Sequence, residues 1–280
     1  MMSLRRILIA MMPVLVVIWW MAAVVTYAEP KEIIRVKGLG EVAETVSSRA
    51  EEFMRSHAGC NIVASGGSRI DWQALVDKDS EIIMTSRRIS DAERESIKRK
   101  GISLDEAIIG YGGIAVILSP ENPVTALTLQ QVRNIFTGGY ETWTELGGKS
   151  QRIAVLSIDE TRSGLPESLR REFLGGPFAR NTHVRSNAHS VISAVYWESN
   201  ATALVRVEDL HKLKPQEPES KIKVALIKAD ENSAAVPPTP QTVSDGTYPL
   251  KIPYYLYMDT SRSTPLAREF FHYCARQKTR

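Results

Sequence analysis

The chain has 280 residues, 43% hydrophobic and 24% charged, which excludes a wholly disordered polymer and is long enough for one large domain or two lobes. Its formal net charge is +3, and Arg5 and Arg6 supply two of those positives, so the remainder is close to neutral. A nucleic-acid footprint is thereby excluded, because it needs basic residues gathered on one face.

Residues 1–28 open with basic Arg5 and Arg6, run through an apolar stretch from Ile7 to Val25, and end on Thr26-Tyr27-Ala28. Small residues three places and one place before Glu29 fit cleavage of an export signal. The same stretch approaches the roughly 20 apolar residues that span a bilayer, so an uncleaved anchor is the alternative. Either reading puts the rest of the chain in the periplasm or otherwise outside the cytoplasm. No lipobox cysteine follows the run, which excludes a lipoprotein.

Beyond the leader, IIRV (33–36) reads as a strand, GLG (38–40) as a loop and EVAETVSSRAEEFMRSH as a helix. In that helix Val42, Val46, Ala50, Phe53 and Met54 recur at helical spacing. A strand at NIVAS follows, then a Gly66-Gly67-Ser68 turn, a short helix over Trp72 to Val76 and a strand at EIIMTS. Residues 114–148 join an apolar strand, a tight loop, an amphipathic helix and a turn carrying Trp143, which reads as a packing anchor. The second half repeats the rhythm with a strand at RIAVLSI, a turn at DETRSG and a helix starting near Pro166, where proline suits the first turn. A helix at SVISAVYWES and strands at TALVRV and KIKVALI come next. ADENSAAVPPTPQTVSDG reads as a loop, YPLKIPYYLYM as an extended run and Pro265–Gln277 as a closing helix. Strands alternating with helices define an α/β chain with a predominantly parallel sheet covered on both faces.

The ordered stretch 114–148, together with SEIIMTSRRIS (80–90), the SGG turn before Ser68 and SDGTYPLKIPYYLYM (244–258), resembles the phosphate-binding-protein family of periplasmic solute receptors. The resemblance spans nearly the whole mature chain. It implies a type II periplasmic-binding-protein fold, with lobe 1 over 29–110 plus 248–280 and lobe 2 over 111–247. The chain would cross between lobes at GYGGIAVIL and YPLKIPYYLYM. It further implies a monomer that captures phosphate or a related oxyanion in the interlobe cleft for an ABC permease, without cofactor or covalent chemistry. The competing function is a non-transporting sensor or envelope interaction module that kept the fold and lost phosphate binding.

Three Gly or Ser-bearing turns precede predicted helices, at 38–40, 66–68 and 162–164. Helix beginnings carry unpaired N–H groups and a partial positive charge, so several aimed at one gap make an oxyanion site. Carried over position by position, the resemblance points to Gly40 through its N–H, Ser68, Ser86, Arg87, Ser163 and Gly164 as ligand contacts. The departures are specific: Glu41 stands in a loop that elsewhere offers hydroxyls, Leu165 replaces the threonine of a Ser-Gly-Thr turn, and Asp159 falls where the family has an anion-clamping arginine. Arg162 or Arg87 would have to supply the lost charge, and a guanidinium is the apt group for it. Alternatively, Asp159 and Glu41 fit a ligand bearing donors or a positive charge.

His57, His183, His189, His211 and His272 show no metal-ligand spacing, and no GxSxG surrounds Ser163, so neither a metal centre nor an enzyme is expected. Cys60 and Cys274 fit either a disulfide or two buried thiols. Tyr254, Tyr255 and Tyr257 alternate as a half-buried hinge strand would.

Overall fold

The computed structural model of the chain describes residues 32–277. The export signal expected over 1–28 lies outside the described residues. Among the described residues no helix is long and apolar enough to cross a membrane.

The first strand, β1 (Glu32–Leu39), leads directly into helix α1 (Gly40–Ser56), whose Val42, Val46, Ala50 and Phe53 line one buried face. Strands β2 (Cys60–Gly67) and β3 (Ile82–Thr85) flank β1 on either side, both parallel to it. Helix α2 (Gln73–Val76) is a single turn, and helix α3 (Asp91–Arg99) follows β3. The long β4 (Leu104–Leu118) then crosses the molecule: its first part pairs with β11 (Lys251–Asp259) and its last part with β8 (Ala201–Arg206). In the second half β6 (Ala154–Ile158) lies parallel to both β8 and β7 (His183–Arg185). The sheet order is therefore β2-β1-β3-β11-β4-β8-β6-β7, with β4 and β11 antiparallel in the middle and parallel strands to either side.

The crossing needs its glycines. A β-carbon on Gly112 would fall 2.1 Å from the Tyr254 hydroxyl oxygen, and one on Gly113 would fall 2.5 Å from a methyl of Val243. Tyr254 on the partner strand crowds Gly112, and Val243 and Val207 on neighbouring helices crowd Gly113. Pairing of β4 with β11 shifts register at Tyr254/Tyr255, next to these glycines.

One apolar core runs through both halves, and a smaller cluster of Leu75, Ile83, Ile97, Tyr255 and Tyr257 sits under α3. Trp143 is buried and its indole N–H donates to the Asn200 carbonyl at 2.8 Å, the anchor role expected for it. Cys274 is a buried thiol that burial pushes up to about 12, and the Cys60 sulfur donates to the His57 carbonyl.

Several elements differ from the sequence reading. Helix α3 and strand β7 were not among its elements. KIKVALI breaks into β9 (Lys223–Val224), paired with β4, and β10 (Leu226–Lys228), paired with β5 (Ala126–Thr128), so one apolar run serves two sheets. The loop at 229–246 contains a turn of helix, Pro240–Ser244, started by the Thr239 hydroxyl accepting from Thr242 N.

Candidate functional site

Because β1, β2 and β3 run parallel, their C-terminal ends meet at one edge of the sheet. Gly38 pairs with Gly66 on one side and with Met84 on the other. The contacts leave no room for side chains: a β-carbon on Gly66 would lie 2.5 Å from Gly40 Cα, and one on Gly38 would lie 1.8 Å from the Met84 carbonyl oxygen. Gly40 begins α1, Ser68 follows directly on β2, and Ser86 and Arg87 follow β3. Ser68 stands in a bend five residues before α2, so no helix begins at that turn.

From the other half comes the turn after β6. Asp159 builds it: its carbonyl accepts from Arg162 N and Ser163 N, and its Oδ1 accepts from Thr161 N and Oγ1, both at 2.8 Å. Those bonds from the Thr161 backbone and hydroxyl hold the Asp159 carboxyl below its usual range. The acid that replaces the expected arginine is thus an Asx-turn former, and Arg162 beside it is exposed. Ser163 Oγ accepts from Leu165 N at 3.2 Å, and Gly164 opens helix α4 (Leu165–Leu169), which continues as a π turn over Arg170–Leu174.

The two edges meet around Glu41. A β-carbon on Gly164 would lie 2.6 Å from Leu39 Cδ2 and 2.9 Å from Glu41 Oε1. Ser86, fully buried, donates to Glu41 Oε1 at 2.8 Å, and its oxygen lies 2.6 Å from Ser168 Oγ. With the carboxylate ionised, the single Ser86 proton is committed to Glu41, so Ser168 donates to Ser86. Glu41 is 8% exposed. Burial raises its pKa, against the bond from its own N–H, the Ser86 bond and the charge of Arg206, while Asp209 adds to the rise. Arg206 itself is held by Asp209, with Nε 3.0 Å from Oδ2 and Nη2 2.5 Å from Oδ1.

Arg87 forms a second link. Its guanidinium, 5% exposed, donates to Glu93 through Nη1 at 2.9 Å and Nη2 at 2.7 Å, and its Nε lies 2.9 Å from Glu167 Oε1 on α4. Burial would push Glu93 up, but bonds from Arg87 and from Ser90 hold it at about 2. Beside it the Arg88 N–H donates to Glu172 Oε1 at 2.6 Å, and Tyr255 reaches Glu172 Oε2 at 3.4 Å.

The structure therefore brings Gly40, Ser86 and Gly164 together around Glu41, engages Arg87 in ion pairs and turns the Ser163 hydroxyl onto its own helix. Ser168, Glu167, Glu172 and Arg206 were missed by the sequence reading. Only Ser168 had a usable signal, one helical turn after Gly164 and so on the same face. A hollow of about 500 Å³ lined by Tyr140, Glu141, Arg152 and Arg180 lies beside the beginning of β6, and none of the converging turns lines it. Among the described residues no cluster of His, Cys, Asp and Glu is arranged to hold a metal ion.

Two α/β lobes joined by two crossing strands, with parallel strand ends facing each other across the junction, make this a type II periplasmic-binding fold. The chain belongs to the PBP-like family that includes phosphate-binding proteins: the family model described as a PBP superfamily domain matches residues 25–278. The chain is 25% identical over 226 residues to the phosphate-binding protein PstS of Staphylococcus aureus, covering 79% of this chain and 67% of that one. Among solved structures it resembles an ABC-type phosphate transport receptor from Vibrio cholerae, with a TM-score of 0.67 and 20% identity over 87% of this chain and 93% of that chain. It also resembles PstS from Borrelia burgdorferi, with a TM-score of 0.59 and 16% identity over 87% and 92% of the two chains.

Proposed function

We propose that the chain is an exported, non-catalytic receptor that captures phosphate or a related small oxyanion between two lobes and hands it to an ABC permease. The lobes are placed at 29–110 plus 248–280 and at 111–247, the protein acts as a monomer, and residues 1–28 direct export. One observation carries the reading: Gly40 at the start of α1, Ser86 after β3 and Gly164 after β6 meet around Glu41, where Ser86 and a helix N–H donate to a buried carboxyl group. Groups that donate to a carboxyl group can donate to a free oxyanion as well. The relatives, named as phosphate-binding proteins and a phosphate transport receptor, support the same ligand class. The proposed contacts are Gly40 N–H, Ser68, Ser86, Arg87, Ser163 and Gly164.

Thermal unfolding with orthophosphate, sulfate and small amines tests this. Orthophosphate at about one hundred times its dissociation constant contributes about 2.7 kcal/mol and raises the melting point by roughly 5–10 °C. Substituting Ser68→Ala together with Ser163→Ala should weaken binding by roughly 3 kcal/mol, since each hydroxyl bond to a charged group is worth about 1.5–3 kcal/mol. A shift with amines and none with oxyanions would reverse the ligand class, and no shift with any of them would leave the non-transporting module.

A further inference from the structure

Glu41 lies where three of the proposed contacts, Gly40, Ser86 and Gly164, meet. Its carboxylate is nine-tenths buried, lies at the beginning of the seventeen-residue helix α1, accepts from Ser86 and its own N–H, and sits against the Gly164 backbone of the other lobe. These are the donors an oxyanion needs, and they are engaged. A buried carboxylate normally has an ion-pair partner, yet among the described residues Glu41 is in no ion pair; the Arg206 charge that attracts it is bonded to Asp209. The buried Leu39 side chain packs against Gly164.

The two sides also touch directly. Ser86 meets Ser168, Arg87 meets Glu167 and Arg88 N–H meets Glu172, three contacts between the end of β3 and the helix after Gly164. Two anions cannot share one dehydrated set of donors, because at close range in a low-dielectric gap their repulsion exceeds what the donors return.

We propose that Glu41 is a tethered occupant of the oxyanion site, which holds the two lobes closed in the absence of solute and must swing out before a free oxyanion enters. The proposal rests on the reading of the cleft as an oxyanion site and adds its regulation: the receptor is self-latched, and its affinity for solute is set by competition with its own side chain. A ligand therefore sees only the fraction of molecules with Glu41 displaced, and its apparent affinity falls by that fraction.

The test uses the full chain with Glu41→Thr, which restores a short hydroxyl, and Glu41→Gln, which keeps the length and removes the charge. Calorimetry with orthophosphate and small-angle scattering with and without it are the readouts, and circular dichroism establishes that each variant is folded. The expected result is orthophosphate binding at least tenfold tighter in Glu41→Thr than in the parent, with Glu41→Gln in between. In addition, solute-free Glu41→Thr has a larger radius of gyration than the parent and contracts on adding orthophosphate. Equal affinity and equal solute-free compactness in parent and both variants would overturn the latch while leaving the oxyanion reading intact. Opening of Glu41→Thr without binding of either orthophosphate or sulfate would keep the latch and overturn the oxyanion reading.

Discussion

Glu41 and Glu93 lie on either side of the Ser86-Arg87 pair and respond to acid in opposite senses. Burial outweighs the donors at Glu41 and raises its pKa, so the folded chain holds that proton more tightly than the unfolded chain does. Its contribution is therefore greatest below the unfolded value near 4.5 and is lost as pH rises through the raised value. Glu93 is held at about 2, so its contribution is complete above 4.5 and disappears as pH falls toward 2. Melting curves recorded across pH should separate them: Glu41→Gln flattens the decline above 4.5, and Glu93→Gln flattens the decline between 4.5 and 2. At neutral pH Glu93→Gln should also lower stability by roughly 2–3 kcal/mol, somewhat under the loss for a fully buried pair, because it leaves the buried Arg87 fork with Glu167 alone. The position of Arg87 directly after the strand β3 was legible in the sequence. Its engagement was not, because the carboxylate that takes its fork belongs to a helix six residues on and also caps that helix.

Helix α3 illustrates what local pattern alone contains. Ser90 and Glu93 form a reciprocal capping box, with Ser90 Oγ accepting from Glu93 N and Glu93 accepting from Ser90 N at 2.9 Å. That S-x-x-E spacing was readable, but the helix buries only Ile97, so the periodic apolar stripe that marked α1 is missing. Its stability depends more on the cap than on packing. Ser90→Ala should cost about 1 kcal/mol and lower the melting point by roughly 2–4 °C; a change within error would mean that Arg87 and Trp72, which both bond Glu93, fix the helix by themselves. The crossing strands present the opposite case. Their glycines were visible, but the reason for Gly112, the Tyr254 ring packed on it, required the pairing of β4 with β11. Gly112→Ala forces the buried ring aside, and a loss of about 1–3 kcal/mol is expected from overpacking, read by chemical denaturation.

At the scale of the molecule, the alternation of strands and helices and the two crossings were legible, while the closed junction was not. Its contacts join Ser86 to Ser168 and Arg88 to Glu172, 82 and 84 residues apart, and no period in the sequence records such pairs. Closure has two separable parts. One is the buried group of Glu41, Leu39, Ser86 and Gly164; the other is the flanking clasp of Glu167 and Glu172 onto Arg87, Arg88 and Tyr255. Glu167 is partly exposed, and without it Arg87 keeps both of its bonds to Glu93, so the clasp biases the lobes without holding the fold together. Replacing Glu167→Gln with Glu172→Gln should leave the melting point within roughly 2–4 °C of the parent, yet loosen the junction. Faster amide exchange at Ser86 to Arg88 and at Gly164 to Ser168 is the expected signature, and under the proposed latch, in which opening precedes entry, orthophosphate should also associate faster. The two lobes could instead be held by the buried group alone. Exchange and association would then match the parent, and Glu41 with its apolar neighbours would be the sole determinant of closure.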